Sequence, residues 1–312
     1  MKHILALFFA VVIHLLILSG CTGSGDAQQQ VEDSASLPLT PLTVGMMSAV
    51  DAAPFYYALH EGYFMEEGVD VELILFTNAQ HRQTALQTHS VDGSMTDLVA
   101  LITHTAGDFG LTATLSTHGV FPLLSGVSLF EKDRLRSGTM EISVTNYILE
   151  EYLSQSHHID KVFINEIPAR LEAVLSGQLD VGIFPEPFAS IGELRGLEKI
   201  IFPDIPRESL NLIAFTNDAL ETNEQEIKAF HRGYERAALI LRAQPDLARD
   251  VLITVIPNNP LEARDLIIVP DYQEPGLPGD EFISEMIQWT SSVTGINYHV
   301  TPEDILDRRF IR

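Results

Sequence analysis

The sequence predicts an α/β protein of two related lobes, each built on a largely parallel sheet, completed by C-terminal helices. Three observations carry this expectation. Alternating apolar segments and helical segments follow one another in two successive sets along the chain. A local pattern recurs: Ala85-Leu86-Gln87-Thr88-His89-Ser90-Val91-Asp92-Gly93 and Ala173-Val174-Leu175-Ser176-Gly177-Gln178-Leu179-Asp180-Val181 both run helix, polar turn, then apolar-Asp-small into a strand. After Phe215 the strand signals cease and three helical stretches follow.

The first set opens near Pro41. Leu42 and Val44 precede a turn-like Ser48-Ala49-Val50-Asp51, and Pro54 suits the first turn of a helix. Phe55, Leu59 and Tyr63 share a face of that helix, and Gly68 stands where a helix end favours a left-handed residue. Val69, Val71, Leu73 and Leu75 alternate with polar residues as a strand does. A helix over 80–87, a strand over 91–95, a helix from Asp97 and a strand over 111–115 complete the set.

Lys132 to Gly138 reads as a polar break. Strands are then expected over 142–144, 162–164 and 179–184, with helices over 146–153, 168–175 and 188–194. Ile200 to Phe202 ends this set. Leu212 to Phe215 leads into helices over 225–242, 245–256 and 281–293. Thr301-Pro302-Glu303-Asp304 is a capping sequence for a last helix, with Arg308 and Arg309 near its C-terminus.

The N-terminus points to export. Lys2 precedes an apolar run from Ile4 to Leu18, closed by Leu18-Ser19-Gly20-Cys21. That run is short of the roughly 20 residues a membrane span needs, and His14 interrupts it. The closing tetrapeptide resembles the lipobox of bacterial lipoproteins. The resemblance implies a signal peptide over 1–20 and lipidation of Cys21. Residues 21–40, rich in Gly, Ser, Gln and Asp, read as a flexible tether. Cys21 is the sole cysteine of 312 residues, so no disulfide forms within the chain. A formal charge of −24 argues against nucleic acid and anionic membrane surfaces as partners, leaving the lipid as the membrane contact.

The block Asp51-Ala52-Ala53-Pro54-Phe55-Tyr56-Tyr57-Ala58-Leu59, with Glu61-Gly62-Tyr63-Phe64 and Glu66-Glu67-Gly68-Val69-Asp70-Val71, resembles the first helix of a known family. These are the substrate-binding proteins of ABC importers for nitrate, taurine, alkanesulfonates and thiamine-pyrimidine precursors. Leu175 to Val181 and Pro185-Glu186-Pro187 resemble further steps of the same family. The resemblance spans about Leu42 to Glu221. It implies a two-lobe, periplasmic-binding-protein-like (type II) fold with two crossover strands, near 121–130 and 210–215. Lobe 1 is expected over 41–125 and 213–312, lobe 2 over 126–212, with the C-terminal helices packed on lobe 1. It further implies an extracytoplasmic, monomeric, non-catalytic protein that hands a small molecule to a membrane permease, without cofactor.

In open parallel sheets ligands sit beyond the carboxyl ends of the strands. That rule selects Ser48, Asp51, Thr77, Asn78, Thr96, Asp97, Thr117 and His118 in lobe 1, and Thr145, Asn146, Glu166 and Glu186 in lobe 2. Phe55 and Tyr56 are placed to stack on a flat ligand. Asp51, Thr96 and Thr145 equally suit helix N-caps, Phe55 equally suits a core, and Asp97 and Glu186 equally suit solvated turns. Arg82 and Arg170 read as helix-surface cations outside the site. His81, His89, His104 and His118 show no metal-ligand spacing. No G-x-S-x-G, H-E-x-x-H or P-loop motif is present.

A cleft with carboxylates at Asp51, Asp97 and Glu186 and few cations suits a neutral or cationic ligand with N–H donors. A nitrogen heterocycle such as a thiamine pyrimidine precursor is therefore expected. Alkanesulfonate, nitrate or taurine is one alternative. An enzyme on the same fold, pyrimidine-synthase-like or a small-molecule lyase, is another.

Overall fold

A computed structural model describes residues 41–107, 109–202 and 208–311. Residues 1–40, where a signal peptide, a lipidated Cys21 and a tether are expected, lie outside the described residues.

The chain begins with β1 (Leu42–Met47), a 3-10 turn at Val50–Ala52, α1 (Ala53–His60) and α2 (Tyr63–Glu66). The expected single helix is two. Gly62 takes a left-handed φ of 75° and breaks it, while Gly68 at φ 90° closes it as anticipated. Next come β2 (Val71–Phe76), α3 (Ala79–Gln87), β3 (Gly93–Asp97), α4 (Leu98–Thr105) and β4 (Leu111–Thr117). The second half holds β5 (Leu123–Ser125), β6 (Arg134–Thr139), α5 (Val144–Leu153), β7 (His158–Phe163), α6 (Ile167–Leu175), β8 (Val181–Ile183), α7 (Phe188–Leu194) and β9 (Glu198–Ile200). The chain ends with β10 (Asn211–Thr216), α8 (Asn217–Thr222), α9 (Glu224–Ala243), α10 (Pro245–Val255), α11 (Asp280–Thr294) and α12 (Pro302–Ile305).

Two five-stranded sheets result, ordered β2-β1-β3-β10-β4 and β7-β6-β8-β5-β9. In the first, β1 runs parallel to β2 and β3, and β10 runs antiparallel to β3 and β4. In the second, β6 runs parallel to β7 and β8, and β5 runs antiparallel to β8 and β9. The chain passes between sheets after β4 and again between β9 and β10. β5 already pairs in the second sheet, so the first passage falls between Thr117 and Leu123, overlapping the start of the expected 121–130, and residues 123–125, expected in lobe 1, belong to the second sheet.

One strand was read as a break. Arg134 to Thr139 forms the second strand of its sheet, although Lys132 to Gly138 looks polar. Arg134 and Arg136 project to solvent while Leu135 and Ser137 face inward, a one-sided strand whose outer face carries charge. Residues 142–144, read as a strand, instead lead into α5.

Three apolar cores hold the layers. The first gathers α1, α2, α9 and α10 on the first sheet, with Phe55, Phe230 and Phe64 stacked at centroid spacings of 5.2 and 5.1 Å. The second is shared by both sheets: Leu98, Val99 and Leu101 of α4 pack with Val144, Tyr147 and Ile148 of α5 and with Phe282 and Met286 of α11. The third lies under α6 and α7. The C-terminal segment does not stay wholly on lobe 1. Residues 261–266 pack on α7, and Trp289 Nε1 of α11 donates to Glu150 Oε2 of α5 at 2.7 Å. Among the described residues no helix is long and apolar enough to cross a membrane.

Candidate functional site

Four helices begin where their sheets' parallel strands end, and they face one another across the gap between the lobes. α3 follows β2 and α4 follows β3; α5 follows β6 and α6 follows β7. Three of these starts are capped by side chains. Asn78 Oδ1 accepts from the Gln80 and His81 amides at 2.7 and 3.2 Å, Asp97 Oδ1 from Ala100 at 3.0 Å, and Ser143 Oγ from Thr145 at 3.2 Å. The caps are thus Asn78, Asp97 and Ser143, not Asp51, Thr96 and Thr145.

Between these helix starts lies a cavity of about 70 Å³. Ser48, Thr96, Asp97 and Thr145, all anticipated from the strand-end rule, line it. Its remaining wall is largely apolar, with Met47, Met95, Met140, Phe121 and Ile167. Asp97 is held near the amide of Val144 in the opposite lobe. Burial raises its pKa, against which Arg82 and the Ala100, Val144 and Val99 amides favour the charged form. At the rim, Asn78 Nδ2 donates to Glu166 Oε1, joining the lobes through the first residues of two helices.

Two cavity residues overturn the sequence reading. Arg82 and Arg170, read as surface cations, are buried to 4% and 0% exposure and both line the cavity. Each is the fourth residue of its helix, where a side chain leans back towards the N-terminus. Arg170 Nη1 donates to the Ile164 carbonyl at 2.6 Å and its guanidinium lies 5.2 Å from the Phe184 ring centroid. Its Nε and Nη2 have no partner, nor does Arg82 Nε. The Ser48 and Thr96 hydroxyls are equally unpartnered. Burial lowers the pKa of Arg170 to about 10, so it is charged at neutral pH. Burial also lowers that of Arg82, against the pull of Asp97.

The other expected residues lie elsewhere. Asp51 Oδ2 accepts from Thr117 Oγ1 at 2.7 Å and Asn211 Nδ2 at 2.9 Å, bracing β4 and β10 beneath the cavity. Glu186 is fully buried. Its carboxylate accepts from Ser190 Oγ at 2.7 Å, Lys199 Nζ at 3.2 Å and the Ile268 amide at 3.3 Å, while its carbonyl accepts from the Val50 amide at 2.9 Å. It is neither a solvated turn nor a cavity residue. Phe55 sits in the first core, and Tyr56 packs against the same core with its pKa pushed up to about 12 by burial. Thr77 is exposed. Asn146 Nδ2 turns to the Glu141 carbonyl at 2.9 Å. His118 lines a separate groove with Tyr152 and Phe202, its pKa lowered by burial. Among the described residues no group of three or more His, Cys, Asp or Glu is placed to hold a metal ion.

Two signals in the sequence pointed to the arginines. A cation in the first turn opposes the helix macrodipole and is unfavourable there unless an anion offsets it. The internal repeat, continued a few residues upstream, also aligns Arg82 with Arg170. The same offset of 88 residues separates Asn78 from Glu166, the pair that meets at the rim.

Residues 49–118 match the family model described as NMT1/THI5 like, and the Asp51–Val71 block that carries the resemblance falls inside that match. No curated protein matches the sequence significantly. Among solved structures, the ligand binding component of an ABC-type import system from Staphylococcus aureus, with zinc bound, aligns with a TM-score of 0.75 at 14% identity, covering 87% of this chain and 97% of that one. The periplasmic aliphatic sulphonate binding protein SsuA from Escherichia coli aligns at 0.70 and 13%, covering 86% and 92%. The periplasmic nitrate-binding protein NrtA from Synechocystis PCC 6803 aligns at 0.66 and 13%, covering 87% and 92%. The chain has the two-lobe periplasmic-binding-protein fold of these structures.

Proposed function

We propose that this protein is the solute-binding component of an ABC importer, closing two lobes on a small anion outside the cytoplasmic membrane and presenting it to a permease. The Staphylococcus aureus, Escherichia coli and Synechocystis proteins are named as binding components, which favours capture over chemistry. The arrangement of the cavity supports the same reading. Its unpartnered groups among the described residues are hydroxyls and guanidinium N–H groups, with no nucleophile set against a base. A lipid on Cys21, as the sequence suggests, keeps such a protein beside its permease.

One observation carries the choice of an anion: two buried guanidinium groups, one from each lobe, stand among the residues lining the cavity, and each has an N–H donor without a protein partner. A pyrimidine precursor would need carboxylates for its own donors. Glu186 is committed to the protein's donors, Asp51 lies outside the cavity lining with its Oδ2 bonded to Thr117 and Asn211, Asp97 caps α4, and Phe55 offers no stacking face. An anion contacting both lobes has higher affinity for the closed state, and that difference is what drives closure.

Calorimetry with pyrimidines, nitrate, alkanesulfonates and carboxylates tests the reading, with small-angle scattering on the same samples. We expect an anion to bind and the scattering radius to shrink. Tight binding of a pyrimidine alone overturns the anion. Conversion of the bound solute into product overturns capture itself.

A further inference from the structure

We infer that the captured solute carries an apolar body, gripped from both lobes by a matched pair of methionines, Met47 and Met140. This rests on the solute-capture reading above and deepens it, naming the side chains that select the solute's body whichever anionic group heads it.

The strands that end at these residues are equivalents in the two sheets. In the first sheet Gly45 of β1 pairs with Ile74 of β2 and Ser94 of β3. In the second, Gly138 of β6 pairs with Val162 of β7 and Gly182 of β8. Ile74 and Val162, like Ser94 and Gly182, stand 88 residues apart, the offset of the internal repeat. Two positions beyond each glycine come Met47 and Met140. Each therefore marks the carboxyl end of a strand held between two parallel neighbours, where ligands of open α/β sheets collect. Both line the same cavity, one from each lobe.

Core filling does not account for the pair. Both side chains are half-buried. Met140 packs into none of the three cores, and Met47 packs on the outside of the first. The unpartnered guanidinium N–H groups have almost no exposed surface. The contact surface offered to a solute therefore comes mainly from the apolar wall. Covering such a wall is favourable in proportion to the apolar area removed from water. A bare inorganic oxyanion has no apolar surface with which to cover it. Methionine also suits bodies of differing shape, because its unbranched thioether repacks around them. With one methionine in each lobe, a body that touches both favours the closed state, so the body as well as the head drives closure.

The full-length protein is titrated by calorimetry with methane-, propane- and hexanesulfonate, with acetate, butanoate and hexanoate, with nitrate and sulfate, and with butanamide as the uncharged control. In whichever organic series binds, affinity is expected to rise about two- to fourfold per added CH₂, with nitrate and sulfate at least about tenfold weaker than the best organic anion. Met47→Ala and Met140→Ala are each expected to cut that gain per CH₂ by about half, and Met140→Leu, which keeps the apolar volume, to restore it. Damage to folding alone would lower affinity equally along a series. The wild-type series stands even where a variant fails to fold. Nitrate or sulfate bound as tightly as the organic anions, or an affinity flat in chain length, overturns the inference and leaves anion capture intact. A gain per CH₂ untouched by both alanine variants also overturns it. Butanamide bound as tightly as butanoate overturns the anion and leaves the methionine pair standing. Silence from every organic probe overturns the inference.

Discussion

Arg170 reaches the cavity because Gly138 lets it. A Cβ at Gly138 would stand 2.8 Å from Arg170 Cγ and 2.6 Å from Leu179 Cδ1, closer than carbon atoms tolerate. Gly138→Ala is expected to push the arginine off its place, destabilising the protein by about 1–3 kcal/mol as overpacking does, and to weaken solute binding. Thermal melts and titrations of the variant check both effects. A second residue sets the response to acid. His231 is buried between Thr114 Oγ1 at 3.0 Å and the Phe310 carbonyl at 3.3 Å, and burial lowers its pKa from 6.5 to about 4. Below pH 6.5 the unfolded chain takes up a proton that the folded chain refuses, so this contribution is complete above 6.5 and is lost as the pH falls towards 4. From about pH 6.5 to about pH 5 the wild type is expected to lose about 2 kcal/mol more stability than His231→Gln. Urea melts of the pair at both pH values, compared as a difference, cancel the many surface carboxylates. A difference of zero refutes the claim.

At the scale of elements, the lobes meet through helix starts. Asn78 caps α3 with its oxygen and joins the lobes with its nitrogen, since Nδ2 donates to Glu166 at the start of α6. The two functions separate cleanly. Asn78→Asp keeps the cap and sets a carboxylate against Glu166, so solute affinity is expected to fall severalfold with little change in melting temperature. Asn78→Ala loses both, with about 1 kcal/mol of helix-cap stability as well. If Asn78→Asp binds solute as the wild type does, the rim contact plays no part in closure. The hinge side is braced differently. Glu186 receives Lys199, Ser190 and Ile268 through its side chain, while its backbone meets Val50 and Val120 of the other half of the chain. Sequence position marked Glu186 as a strand-end carboxylate; packing made it a joint between segments.

For the whole molecule, a formal charge of −24 surrounds a cavity whose own charge is positive. Distant repulsion slows the approach of an anion, and salt shortens its reach from about 30 Å at 0.01 M to about 8 Å at 0.15 M. The association rate for the anion is expected to rise roughly threefold across that range, while an uncharged solute would show no such trend. Stopped-flow measurements at several salt concentrations decide this, and a rate that falls with salt refutes it. The second core joins α4, α5 and α11 across both lobes.

Period and punctuation were local properties, and the sequence alone determined what depends on them. Most strands and helices, the halves they form, and the capping pair Thr301 and Asp304 were legible, because alternation, helical spacing, Gly68 and Pro302 act within a few residues. β6 was hidden because its outer face carries Arg134 and Arg136, and only pairing with β7 and β8 reveals it. Strand ends located Ser48, Thr96, Asp97 and Thr145 at the cavity, since topology fixes where a parallel strand stops. What those ends face is a property of the assembled chain. Asp51 and Glu186 found partners from distant segments, and Arg170 was buried against Gly138 and Phe184, which lie outside its own helix. Only the tertiary structure decided the sign of the site, because a side chain's charge is local but its partner is not.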